Sequence, residues 1–394
     1  MAAVDVVARY LSNQGEPEVE ALADFPSHLW RHVIVIPAYR ENGDFIARLA
    51  AFDNLLVLVV INQPDRLPGA DPQNLRLLAE YSGNTAWQCA KLRLTQLNNQ
   101  NSHCLLVDRT AAPIPAHQGV GLARKLGNDL ALALWHRGAI TRPWLWNSDA
   151  DAHLPTDYFA IAPNENSVAC VYPFRHLSVD VDTDSATAVA TRLYEQTLNY
   201  YVAGLRWAGS PYAYHTLGST QVISCDAYAK VRGYPKRSGG EDFYLLNKVA
   251  KLGAVESLIQ PTIALAARQS DRVPFGTGPA VGKIVATGDS ALFYHPQCFV
   301  ALKQLLTKAN AARSVEQFVA LLDATEREAL ETLGLDRFSQ HCHKQQLRNA
   351  GFAKHWQIWF DGFLTLKFIH FAERSGLCKV DYDQVSSLPF GQAL

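Results

Sequence analysis

Short apolar runs alternate with stretches of helical period through the first 150 residues. His32-Val-Ile-Val-Ile-Pro37 and Leu55-Leu-Val-Leu-Val-Val-Ile61 are continuous and largely β-branched, the pattern of strands buried on both faces. Ser102-His-Cys-Leu-Leu-Val-Asp108 and a run from Trp144 to Ser148 repeat that pattern. Between them, Phe45 to Phe52, Asp71 to Trp87 and the segment from Gly119 onward space their apolar residues as helices do. Four strand–helix repeats in roughly 150 residues predict a Rossmann-like α/β half with a mixed, mostly parallel sheet flanked by helices.

The periodicity changes downstream. Ala186 to Trp207 reads as an amphipathic helix, Gln221 to Cys225 as a short strand, and Cys225 to Arg232 as a short helix. Glu241 to Leu252 reads as a helix stopped by Gly253. Beyond about residue 300 the chain is mostly helical, over Cys298–Lys308, Val315–Leu333 and Gly351–Ala372. The expected organisation is a lead-in over 1–30, a main domain over 31–300 (halves 31–152 and 153–300), and a helical extension over 301–394 packed on it.

Composition narrows the class. Hydrophobic residues make up 48% and charged residues 19% of the 394, which suits an ordered globular enzyme. A net charge of −1 without a basic stripe argues against a nucleic-acid partner. Seven scattered cysteines without a CxxC pair argue against structural zinc and suit reduced thiols in a cytoplasmic setting. No apolar run is long enough to span a bilayer, and contact with a membrane surface stays open.

The strongest chemical signal is Asp149-Ala-Asp151, which ends the fourth apolar run. If that run stays extended, alternation puts both carboxylates on one side of the chain. Paired carboxylates attract a hard divalent cation such as Mg²⁺ or Mn²⁺, which in turn binds phosphates. A second acidic pair, Glu241-Asp242, opens a helix after Gly239-Gly240. Either pair alone also has a plain reading, as a solvated turn or as favourable placement against a helix dipole.

Taken in order, four segments resemble the family 2 glycosyltransferases of the GT-A fold, over roughly residues 30 to 300. They are Val33-Ile-Val-Ile-Pro37-Ala-Tyr39-Arg-Glu41, Gly119-Val-Gly-Leu-Ala123-Arg124-Lys-Leu-Gly127, Asp149-Ala-Asp151, and Gly239-Gly-Glu241-Asp242. The resemblance implies a nucleotide-diphosphate-sugar donor contacted by Pro37, Tyr39, Glu41, Asn62, Arg124 and Asp149. It implies Mn²⁺ or Mg²⁺ at Asp151 with Asp149, His295 as a candidate third ligand, Asp242 as the base, and Glu241 holding the acceptor or orienting the loop. Arg268-Gln-Ser-Asp-Arg272 loosely resembles the Gln-x-x-Arg-Trp segment of processive members, adding Arg272 to the donor site. Val273 stands where those members have tryptophan, which speaks against processive polymerisation.

The chemistry follows independently of the family. A departing nucleotide diphosphate needs a charge clamp, and an attacking acceptor hydroxyl needs a positioned carboxylate. The acceptor is left open between a carbohydrate, a lipid-linked group and a small molecule, and inversion is carried by the resemblance alone. A retaining enzyme, a nucleotidyltransferase and an inactive sugar-binding relative are the rivals. Pro37-Ala-Tyr-Arg-Glu41 lacks the glycine-rich loop of a nucleotidyltransferase, and the four acids are all present.

Overall fold

A computed structural model describes residues 5–178, 186–267, 277–287 and 291–385. The chain forms two compact units, one from Met1–Val181 with Thr216–Pro279 and one from Asp182–His215 with Ala280–Leu394. The helix Ala186–Ala208 and the helices beyond Ala280 fall in the same unit. The helix Ala186–Ala208 belongs with the C-terminal helices, because its apolar face buries Tyr200 and Leu205 in their core.

Among the described residues the first unit has twelve strands: β1 His32–Ala38, β2 Leu55–Ile61, β3 Thr85–Cys89, β4 Leu92–Gln96, β5 His103–Asp108, β6 Trp144–Asn147, β7 Ala152–His153, β8 Ser167–Val171, β9 Phe174–Ser178, β10 Gln221–Ser224, β11 Ala254–Ser257 and β12 Ile263–Ala267. Nine form one mixed sheet in the order β11-β8-β10-β6-β1-β2-β5-β4-β3; β7, β12 and β9 form a small second sheet. All seven residues of β2 are buried, as a strand between β1 and β5 with helices on its faces requires.

Parallel pairing holds at the centre, where β1 runs beside both β2 and β6 and β2 beside β5. Away from it, β4 pairs antiparallel to β5 and β3, and β10 antiparallel to β6 and β8. The sheet is mixed, as expected, with parallel pairs at its centre and again at the β8–β11 edge. The helix expected over Asp71–Trp87 stops at Glu80, and Thr85–Cys89 becomes a strand instead. Ser82-Gly83 breaks the helical stretch, and β-branched and aromatic residues follow it.

The N-terminal segment packs within this unit. Its helix Val6–Gln14 is capped by Asp5, whose carboxylate accepts from the backbone N–H groups of Val7 and Ala8. Tyr10 and Glu16 of this segment hydrogen-bond to the buried Asp129 of the helix Gly119–His136. That helix is buried on nearly every side from Gly121 to Leu134, so every charge it carries must find a partner inside.

In the second unit, Phe299, Leu302, Phe318, Leu330, Phe352 and Trp356 form the centre of a helical core. Two expected long helices are broken there by aspartate caps. Asp323 and Glu326 form a capping box that starts a new helix at Ala324, and Asp361 accepts from Phe363 and Leu364 to start another at Gly362. All seven cysteines are free. Among the described residues no helix is long and apolar enough to cross a membrane.

Candidate active site

The parallel centre of the sheet has its reversal between β1 and β6: strands continue from β1 toward β2 and β5 on one side and toward β6 on the other. In open α/β sheets, the crevice at the strands' carboxyl ends beside such a reversal is where ligands bind. Here those ends deliver Ala38-Tyr39 from β1 and Ser148-Asp149 from β6.

Strand β6 ends at Asn147, earlier than the alternation argument needs. Asp149 to Asp151 form a turn closed by the Ala152 N–H donating to the Asp149 carbonyl at 3.1 Å. Asp149 and Asp151 therefore sit on a turn and not on the extended strand that alternation supposed. Asp149 keeps 36% side-chain exposure, and Asp151 is half-buried.

Arg124 ties the motifs together. It is 2% exposed, one turn into the helix Gly119–His136. Its Nε donates to Oε1 of Glu241 at 3.0 Å, Nη1 to the Ser148 carbonyl at 3.2 Å, and Nη2 to Oδ1 of Asp149 at 2.5 Å. Expected to contact the donor, Arg124 in the structure gives three of its nitrogens to protein oxygens and is buried. It acts as the tie between the two acidic pairs.

Small residues make this junction. A Cβ at Gly121 would collide with the Pro235 carbonyl and the Arg237 backbone, so the helix start and the 235–238 segment approach closely. The Gly121 N–H donates to the Arg237 carbonyl at 2.9 Å. Gly240 adopts φ 69°, a left-handed conformation that suits glycine, and launches the helix Glu241–Val249 toward Arg124. On the other side, a Cβ at Gly218 would overlap the Arg124 guanidinium.

The electrostatics follow from burial. Desolvation raises the pKa of Glu241 even though Arg124 beside it pulls the other way. Asp242 is pushed up to about 8, first by burial and then by the Glu241 carboxylate. Its Oδ1 also accepts from the Phe243 N–H at 2.7 Å. Three carboxylates, Asp149, Glu241 and Asp242, thus face one guanidinium, an excess of negative charge when all are ionised.

The remaining site residues fall at several places. Pro37 lies in β1, Tyr39 and Glu41 follow it half-buried, and Asn62 leaves β2 with its N–H donating to the Ala38 carbonyl at 2.7 Å. His295 belongs to the second unit, where its Nδ1 accepts from the Gln297 N–H and caps the helix Pro296–Ala311. Arg272, with Arg268 and Gln269, lies outside the described residues. Among the described residues no group of three His, Cys, Asp or Glu side chains is arranged to hold a metal.

Several contributors were not anticipated. Ser148 is fully buried beside Asp149 with an unpartnered hydroxyl, and both line a cavity of about 70 Å³ with Ile36, Arg48 and His153. Gly218 carries no local motif. Gln63 is buried and binds the Asp71 N–H and the Asn74 amide, and Asn74 in turn accepts from the Arg40 N–H. That chain fastens the loops after β1 and β2 to each other. A buried amide between two turn signals is the only trace this leaves in sequence.

No protein-family model matches the chain, and no curated protein matches it. Among solved structures it is similar to a mannosyltransferase, PcManGT from Pyrobaculum calidifontis in complex with GDP-Man and Mn²⁺. The likeness covers 93% of this chain and 92% of that one at 14% identity and a TM-score of 0.36. At that score and identity the likeness assigns nothing to this chain.

Proposed function

We propose that the chain is a glycosyltransferase that moves a sugar from a nucleotide-diphosphate donor to an acceptor hydroxyl, by direct displacement with inversion. The observation that carries this reading is the convergence of Asp149, Arg124, Glu241 and Asp242 beside the reversal of the sheet. The acceptor hydroxyl gives its proton to Asp242 as its oxygen bonds to the anomeric carbon. The bond from that carbon to the diphosphate oxygen breaks, and the leaving group keeps the electron pair. A carboxylate with a pKa raised to about 8 is suited to this, since a general base works best near the operating pH. Arg124 holds Glu241, and so fixes the helix start from which Asp242 projects.

The donor set also fits a divalent cation. Carboxylates in excess over the single buried guanidinium repel an anionic diphosphate, and a cation removes that repulsion. Asp151 and Asp149 on their turn would hold it, with hard oxygen donors, in the manner of Mg²⁺ or Mn²⁺ sites completed by water and substrate phosphate. When bound, the ion would neutralise charge developing on the departing diphosphate. The nucleotide would lie against Pro37, Tyr39, Glu41 and Asn62, and Arg272 stays a candidate for the donor.

A thermal-shift screen of nucleotide sugars, with and without Mn²⁺, tests this reading. A rise in Tm with one donor that requires the metal is expected. A donor shift indifferent to metal would remove the cation from the account, and silence across all donors would overturn the function.

A further inference from the structure

The second unit carries an imidazole pair with no part in the proposed transfer. His341 lies in the last turn of the helix Leu335–Lys344, and His355 lies within the helix Ala350–Trp359. Nε2 of His341 stands 2.9 Å from Nδ1 of His355, with the ring centroids 5.0 Å apart. One nitrogen must donate and the other offer its lone pair, so a single proton bridges two ligating atoms.

Their setting is a built one. Both line a groove of about 800 Å³ together with Glu331, Asp336, Arg337 and Trp359. Behind them, Phe338 is buried and stacks on Trp359 at 4.5 Å and 12°, which fixes the two helices against each other. A neutral hydrogen bond between exposed groups gains little over water, so it is a weak reason for two nitrogens to meet head-on. Two imidazole nitrogens this close supply, by contrast, half of a tetrahedral shell once the rings turn their lone pairs onto a common point. Bonds of about 2.0–2.1 Å to zinc need the two nitrogens ~3.3 Å apart, a small opening from the present separation.

We infer that His341 and His355 form a two-imidazole site for a transition-metal cation of the Zn²⁺ class. On binding, the donor ring shifts its proton to its other ring nitrogen, so both facing nitrogens offer lone pairs to the ion, which staples the two helices and keeps its other positions open in the groove. Nitrogen ligands separate this site in chemistry from Asp149 and Asp151, whose oxygens prefer hard cations.

Calorimetric titration of the full chain with ZnCl₂ in excess Mg²⁺ tests the site, since Mg²⁺ occupies the oxygen donors. The expected result is saturation at one equivalent and a rise in Tm. Both should survive in Asp151→Asn. Each of His341→Gln and His355→Gln should lose more than the ~10-fold that even an outer-shell partner is worth. Melting of these variants without metal checks that they fold, and His341 is exposed enough for the change to be tolerated. No saturable binding in the natural chain, or unchanged binding in either histidine variant, would overturn the site.

Discussion

Arg124 and Lys125 are consecutive residues of one buried helix, yet they anchor clusters of opposite character. A step of about 100° around the helix turns them to different neighbours. Lys125 faces the N-terminal segment, where Nζ binds Asp129 at 2.7 Å, the Tyr10 hydroxyl at 2.6 Å and the Gln14 carbonyl at 2.9 Å. Asp129 is fully buried and also accepts from the Tyr228 hydroxyl and the Glu16 N–H. Every oxygen and nitrogen of that cluster is committed to the protein. Around Arg124 the carboxylates outnumber the cation, Asp149 stays partly exposed, and Asp242 is pushed up to about 8. A closed, balanced cluster stabilises; an open, unbalanced one is available to a ligand.

The comparison can be broken most sharply at Asp242. Asp242→Asn should lower turnover by ~10²–10⁴ while the chain still folds, measured as kcat against Tm. The sign of its stability effect is fixed by the raised pKa. Folded protein holds the Asp242 proton between about 4 and 8, where the unfolded chain has released it. The stability this group contributes is complete below about 4 and is lost as pH rises through 8. Melting curves at pH 9 should therefore find the asparagine variant at least as stable as the natural chain.

On the closed side, Lys125→Met should cost about 3–5 kcal/mol in denaturant unfolding, because it leaves Asp129 buried without its cation. Turnover per folded molecule should hold. A smaller effect is expected at the seam: Gly218→Ala pushes a methyl group into the Arg124 guanidinium and should cost about 1–3 kcal/mol. Unlike Lys125→Met, it should also lower kcat, since Arg124 would release Asp149 or Glu241.

Much of the open cluster was legible as sequence. The apolar runs located β1, β2 and β5, and the glycines at 119 and 121 lie where the helix start meets the 235–238 segment. Arg124 stood out in its motif, but its role as a tie was hidden, because the burial of a helix on all sides is a property of its neighbours. The same blindness made residues 1–30 look like a lead-in: nothing in Tyr10 or Glu16 announces an Asp129 over a hundred positions away. The hairpin of β3 and β4 was masked by a preceding helix whose apolar spacing runs up to it. The division into units was obscured because Asp182–His215 leaves the first unit and the chain returns at Thr216.

The claim that the open cluster does the chemistry rests most directly on the titration of one carboxylate. The pH profile of kcat/KM, taken with the donor found by the thermal-shift screen, should rise with an apparent pKa near 8 and then level off. A profile flat through that range would contradict Asp242 as the base.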